Sequence, residues 1–480
     1  MQLNKAFEPK NSMIEGAVDD FLNNGVGIVH FGVGAFHRAH MAVYTHAALK
    51  MHGGDWRILG VSLQSTKIAK ALNAQDGIYS LTQRGTGEPI ISLIKSIAKM
   101  EAATLNKDVI FEYLSSAQTR IVSMSVTEKA YGILREEGKV DLTHASIAND
   151  VANPDNPIGI IGMIVKGLKM RKALGLKPFT VLCCDNLPQN GDLVRKGVLD
   201  FALQINEPEL AKWIEGNGAF PNSMVDRITP ATTPNLLEEV EAQLGAKDTL
   251  PVESEVFSQW VIEDNFCDGR PKWEDVGTIF VKEVAPYEHM KLRMLNGTHS
   301  LIAYLGYVSG HKFVRDVMED SALRSIVKNY MSAAAKTLSP IENIDFATYA
   351  ADLIERFDNP HIAHETYQIA MDGSQKMPQR IFEAAVDSLR QGHSIEPFAL
   401  GTASWIYFCA AEHAHLGAYT LRDPQEEALM RAYKEGDGNA DKICELFYQL
   451  PDLFPSELIN SDAWKIAVSN YLNSMIALGA

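Results

Sequence analysis

The first half of the chain alternates short strand-like runs with helical stretches, and this limits the fold more than any other feature. "GIVHFGVG" (27–34), "WRILGVSL" (56–63), "RIVSMSVT" (120–127) and "FTVLCCDN" (179–186) are apolar runs rich in β-branched residues. Between them lie helical segments such as "AHMAVYTHAALKMHGG" and "IGMIVKGLKMRKALG". Such alternation implies a mostly parallel, doubly wound sheet. From about Pro286 the texture changes. "KLRMLNGTHSLIAYLG", "ALRSIVKNYMSAAAKTL", "FATYAADLIERF" and "EEALMRAYKEG" all carry helical apolar spacing. We therefore expect an α/β Rossmann-like, dinucleotide-binding domain over 1–284 and a mainly α-helical domain over 285–480. A chain of 480 residues is too long for one ordinary core. A cleft between two such domains is a common place for a small-molecule site.

Composition narrows the function. The formal charge of −16 argues against nucleic acid as a partner, since phosphate binding needs a clustered basic face. An anionic small molecule remains allowed, because it needs only a local pocket of cations. The five cysteines are scattered, with no C-x-x-C and no H-E-x-x-H, so no metal site of the usual spacing is expected. The opening "MQLNKAFEPKNSMIEGAVDD" has no apolar signal core. The longest apolar stretch, "FALGTASWIYFCAA", is too short and interrupted to span a bilayer. A cytoplasmic protein without membrane contact is the expectation.

In "IVHFGVGAFHRAH", Gly32 and Gly34 fall between a strand and a helix, where a Rossmann fold needs them. One glycine permits the tight turn, and the next lets the backbone approach a pyrophosphate. The third glycine is absent, and His37 holds its slot. At the end of the next strand, where an acid usually binds the ribose hydroxyls of NAD, the chain reads "VSLQSTK". No acid stands there. Lys67 would suit a 2′-phosphate or lie solvated on a helix, and both coenzymes stay open.

The segment "HMKLRMLNGTHS" (289–300) spaces Lys291, Asn296 and His299 as K-x4-N-x2-H. Stepped at about 100° per residue, these three and Glu288 share an arc of roughly 140°, threaded with leucines. Mixed lining of this kind suits a buried polar site. "FTVLCCDNLPQNG" adds Asn186 just past the carboxyl end of a strand, the edge where doubly wound sheets collect ligands. Its amide donates to a carbonyl or alkoxide oxygen without carrying charge.

Together with "VTEKAY", "MVDRITP", "WVIEDNF", "GRPKWEDVG", "PYEHMKLRMLNGTHS" and "IERFDNP", these phrases resemble the long-chain mannitol dehydrogenase and fructuronate reductase family. The resemblance implies metal-independent hydride transfer between a nicotinamide, NAD with NADP not excluded, and a secondary alcohol. It implies Lys291 as general base, Asn186 and Asn296 as oxyanion donors, His299 orienting the substrate hydroxyl and Glu288 at the site entrance. It also implies a cofactor site using Gly32, Gly34, Phe36, His37, Arg38, Thr127, Asp226 and Arg227. "YQIAMDGSQKMPQR" and "KLRMLNG" are closer to the fructuronate reductases, which makes D-mannonate and D-fructuronate the leading pair. Mannitol 2-dehydrogenase and arabinitol dehydrogenase are alternatives, as is a sensor that kept the fold without catalysis. For a substrate carboxylate the candidates are Lys376, Arg380 and Arg293, the last read as a structural ion-pair residue. A monomer or weak dimer is expected. A lysine at about pKa 10.4 cannot accept the alcohol proton near neutrality, so Lys291 is expected to be buried.

Overall fold

The computed structural model describes residues 2–7 and 20–479. Residues 8–19, most of the opening segment read above for a signal core, lie outside them. Two compact units emerge, Met1–Ala285 and Pro286–Ala480.

In the first unit, β1 (Val26–Phe31), β2 (Arg57–Ser62), β3 (Ile97–Ala102), β4 (Ile121–Met124) and β5 (Thr180–Cys183) form one sheet. Its order is β3-β2-β1-β4-β5, and every pairing is parallel. Both faces are covered. Val29 and Phe31 pack with Leu59, Val61 and Val122 on one side, and Ile28 with Ile58, Ile97 and Ile121 on the other. Burial on both faces is why these strands read as continuous apolar runs. Gly60 lets β2 sit close to its cover, since a Cβ there would lie 2.1 Å from Met100 Sδ and 2.7 Å from Val33 Cγ2.

Register positions the site. Phe31 pairs with Val61 and with Met124, and Met124 pairs with Cys183. Four strands thus end at one level, and the loops 32–34, 63–67, 125–127 and 184–190 open from the same edge. Because the order reverses at β1, this edge is the topological switch point. Two three-stranded sheets flank the main one: Ser223–Asp226, Gln259–Glu263 and Ile279–Val281, and Val252–Glu255, Tyr79–Arg84 and Ile90–Ile94.

The second unit is mainly helical. "FALGTASWIYFCAA" forms most of the helix Glu396–Phe408, which packs against Gly297–Val308 and Asp462–Leu478. Among the described residues no helix is long and apolar enough to cross a membrane. The segment of greatest interest is not a plain α-helix. Helix Ala285–Met290 runs into a π turn, Lys291–Asn296, before α geometry resumes at Gly297–Val308. The Gly297 N–H donates to the Leu292 carbonyl five residues back. An angle of 100° per residue therefore fails across 291–296. An i→i+5 turn holds more residues per turn, so Asn296 comes round nearer to Lys291 than α geometry would put it. A second π turn, Pro378–Phe382, follows the short helix Gly373–Met377 and packs against the first. Pro378 has no N–H to close an α turn.

Gly297 makes that packing possible. A Cβ there would stand 2.3 Å from Tyr330 Oη and 2.7 Å from the Arg380 carbonyl oxygen, the atom to which Tyr330 Oη donates at 3.2 Å. The backbone carbonyl cannot swing aside as a side chain can. Gly297→Ala should therefore cost about 1–3 kcal/mol by overpacking and lower the melting temperature by several degrees. A melting curve identical to that of the parent would show that the two turns separate freely.

Candidate active site

On the Rossmann unit, Gly32 takes φ +91°, and a Cβ there would lie 2.2 Å from the Ser125 carbonyl oxygen. Only glycine fits this turn. Gly34 is exposed, and a Cβ built on it would meet nothing nearer than the Gly32 carbonyl oxygen at 4.0 Å. The main chain is thus open at the start of helix Ala35–Ala39, as close approach by a pyrophosphate requires. These residues fit a dinucleotide.

His37, in the third-glycine slot, lies flat on His30 of β1, ring centroids 3.5 Å apart and planes 19° from parallel. His30 is fixed in turn by Ser123 Oγ at 2.8 Å and Ser125 Oγ at 2.9 Å. Close helix–strand packing, the usual service of the third glycine, comes here from a stacked imidazole pair. Burial holds His30 down to about pKa 3, against a weaker opposing hydrogen bond from the Gly32 backbone. Burial also holds His37 well below its ordinary value, helped by the charges of His30, Arg38 and His40. Both rings are neutral at pH 7.

The side chains of His37 and Arg38 are buried. Arg38 donates to the Leu250 carbonyl and lies over the Tyr79 ring, and Tyr79 Oη donates to the Arg38 carbonyl at 2.6 Å. Phe36 stacks on His40 at 5.0 Å, and Thr127 is exposed on the loop after β4. Asp226 and Arg227 are buried. Arg227 donates to the Ala39 carbonyl at 2.6 Å and twice to the Glu255 carbonyl, at 3.2 and 3.0 Å. It clamps the end of the glycine-loop helix.

Asn186 is exposed on the loop after β5, between two residues that the sequence reading passed over. Asp185 accepts from the Val126 N–H at 3.0 Å and from Tyr131 Oη. Asn190 donates to the carbonyls of Asp185 at 2.9 Å and Ser223 at 2.8 Å, and accepts from the Ser223 N–H. The signal was the polar pair bracketing "NLPQ", since a loop at a fixed strand edge needs such anchors.

On the helical unit, Glu288, Lys291, Asn296 and His299 are 9, 7, 9 and 7% exposed. A solvated helix face does not look like this. His299 packs against Phe357 at 4.7 Å and edge-on to His364 at 5.2 Å. Its Nε2 is buried without a hydrogen-bond partner. Burial drives the His299 pKa well below the ordinary value, and His364, Arg356, Arg380 and Lys291 add to the effect. His364, which the sequence reading missed, is lowered to about 4 by burial.

The three candidate cations part ways. Arg293 donates to the Thr337 carbonyl at 2.8 Å, to Thr337 Oγ1 at 3.0 Å and to Asp387 at 2.7 Å. Lys376 Nζ donates to the Met371 carbonyl at 2.5 Å and the Ile369 carbonyl at 3.3 Å, and burial lowers its pKa to about 8. Arg380, half-buried, donates to Ser300 Oγ at 3.2 Å.

Residues 26–275 match the mannitol dehydrogenase Rossmann domain, and residues 283–461 match the mannitol dehydrogenase C-terminal domain. The chain belongs to the mannitol dehydrogenase family. It is 40% identical to D-mannonate oxidoreductase of Escherichia coli K12, over 94% of each chain. Mannitol 2-dehydrogenase of Pseudomonas fluorescens, solved as a ternary complex with NAD and D-mannitol, is similar over 100% of this chain and 98% of that one, at 34% identity and a TM-score of 0.82. Substrate-free D-sorbitol dehydrogenase superposes with a TM-score of 0.91 at 32% identity, over 99% of this chain and 98% of that one. Membership makes the chain a secondary-alcohol dehydrogenase.

The stacked histidines give this mannitol dehydrogenase family member a pH signature. Each folded pKa lies below the unfolded value of about 6.5, so between those limits the unfolded chain binds more protons. Stability is complete above about pH 6.5 and falls as pH drops toward 3, by up to about 1.4 kcal/mol per pH unit for each histidine. Thermal melts from pH 7 to 4.5 should show His37→Phe, which keeps a flat ring on His30, losing less stability than the parent. Parallel curves would show that His37 does not contribute.

Proposed function

We propose that the chain interconverts the secondary alcohol of a sugar acid and the corresponding ketone, D-mannonate and D-fructuronate being the leading pair. The reading rests above all on one observation: a lysine and an asparagine buried one i→i+5 turn apart, with a neutral histidine on the next turn of the same helix. Similarity to a mannonate oxidoreductase over nearly the whole chain supports the substrate class.

When bound, NAD supplies the hydride acceptor at the substrate carbon. In oxidation Lys291 Nζ takes the hydroxyl proton, and in reduction it returns one to the new alkoxide. Asn296 donates an amide hydrogen bond to the substrate oxygen as charge develops on it, and the role of amide donor is proposed for Asn186 on the family resemblance. Neutral donors stabilise an alkoxide without raising the barrier to deprotonating the lysine beside them. His299 orients the hydroxyl through a ring nitrogen. Its lowered pKa keeps it a hydrogen-bonding group and leaves proton transfer to the amine.

For the coenzyme we propose NAD, supported by the NAD-bound relative. NADP stands as a second reading on a specific observation: Gln64, Ser65 and Lys67 are exposed after β2, with no acid among them. Steady-state oxidation of D-mannonate and D-mannitol with each coenzyme separates these readings, and absence of turnover with every pair would refute the proposal.

Lys291→Ala should abolish turnover while NADH affinity, read by fluorescence titration, stays within a few-fold. Equal loss of both would make the residue structural. Asn186→Ala and Asn296→Ala should each lower kcat by about 10²–10³-fold, more than they raise KM. A pure KM effect would assign the amides to ground-state binding.

A further inference from the structure

The helical unit holds more positive charge around His299 than proton transfer requires. Lys291, Arg356 and Arg380 all act on that ring, and Arg380 also acts on Lys376, four residues before it. Among the described residues the cations nearby have protein partners that Arg380 lacks. Arg293 has Asp387 and Thr337, and the Lys376 ammonium is capped by two backbone carbonyls. Arg380 makes one side-chain hydrogen bond, to the neutral Ser300 Oγ beside His299, and no carboxylate pairs with it. The residues whose charge acts favourably on it are Tyr304 and Tyr330, both neutral near pH 7. A guanidinium has five N–H donors in a planar fork matched to a carboxylate. Leaving such a group half-buried beside another cation costs free energy unless an anion arrives. Its backbone is fixed, because the Arg380 carbonyl is held by Tyr330 Oη against Gly297. The fork is therefore carried on a rigid turn, one packed layer from the Lys291–Asn296 turn.

We propose that Arg380 binds the carboxylate of the sugar-acid substrate and so sets the preference for acids over neutral polyols. The inference rests on the substrate class proposed above. The carboxylate takes up fork donors that protein carboxylates leave unused, and Lys376 contributes field, not contact. A polyol offers only hydroxyls there and leaves the guanidinium charge unpaired.

The test compares D-mannonate with its neutral isostere D-mannonamide, and the parent enzyme with Arg380→Met and Arg380→Lys. For the parent, kcat/KM should be about 10- to 100-fold higher for mannonate than for the amide, the range of a charge-assisted hydrogen bond. Arg380→Met should raise KM for mannonate at least tenfold while kcat falls less than threefold and KM for the coenzyme holds. Arg380→Lys should recover part of the loss. Equal kcat/KM for acid and amide in the parent would overturn the proposal, and this arm needs no variant to fold. A drop in kcat at unchanged KM in Arg380→Met, with no recovery by lysine, would also overturn it and make Arg380 a scaffold residue. A parent that turns over mannitol but neither mannonate nor the amide would refute the substrate class itself.

Discussion

The polar chemistry of the helical unit depends on one backbone irregularity. In a regular α-helix, residues five apart point well away from each other, and Lys291 and Asn296 would address different neighbours. The i→i+5 turn narrows the angle between them. Such a turn is poor helix geometry by itself and persists only where its surroundings hold it. The holding structure is visible: a second π turn begun by a proline, a glycine with no room for a Cβ, and a tyrosine hydroxyl bonded to the carbonyl between them. Lys291, Asn296 and Arg380 are thereby placed by one packed layer. Displacing the layer would move all three together.

The Rossmann unit solves a different problem with equal economy. Its strand ends are level because the pairing register makes them so, and the loops that follow inherit a common edge. What sequence motifs usually assign to a third glycine is done here by two stacked imidazoles, kept neutral by burial. Arg38 and Arg227 then fasten the short glycine-loop helix, Arg38 by donating to the Leu250 carbonyl and Arg227 by donating to the Ala39 carbonyl. The loop presents main chain outward because its side chains are occupied inward.

Legibility in the sequence followed the physics of each element. Strands β1, β2, β4 and β5 were readable because burial on both faces leaves an unbroken apolar run. β3, "IAKMEA", an edge strand, carries a lysine and a glutamate and gives no such signal. Part of the flanking sheets was missed for another reason: Val252–Glu255 pairs with Leu81–Arg84, far back along the chain. The clustering of Lys291, Asn296 and His299 could be read from spacing, but their alignment could not, since nothing in "KLRMLN" announces an i→i+5 turn. Its support lies in Tyr330 and Pro378, tens of residues away. Arg38 shows a different limit: its bond to the Leu250 carbonyl depends on a residue more than two hundred positions along the chain, which no local motif announces.

Charge distribution explains why a chain of formal charge −16 can carry a cationic interior patch. The acidic excess lies on solvated surface, where each carboxylate is screened by water and salt. Around His299 water is largely excluded, so a few cations dominate the local field. Burial lowers the pKa of both His299 and His364, and for His299 the nearby cations add to the effect. That field also favours any anionic form that develops there, whether an alkoxide at the reacting carbon or a carboxylate elsewhere on the substrate.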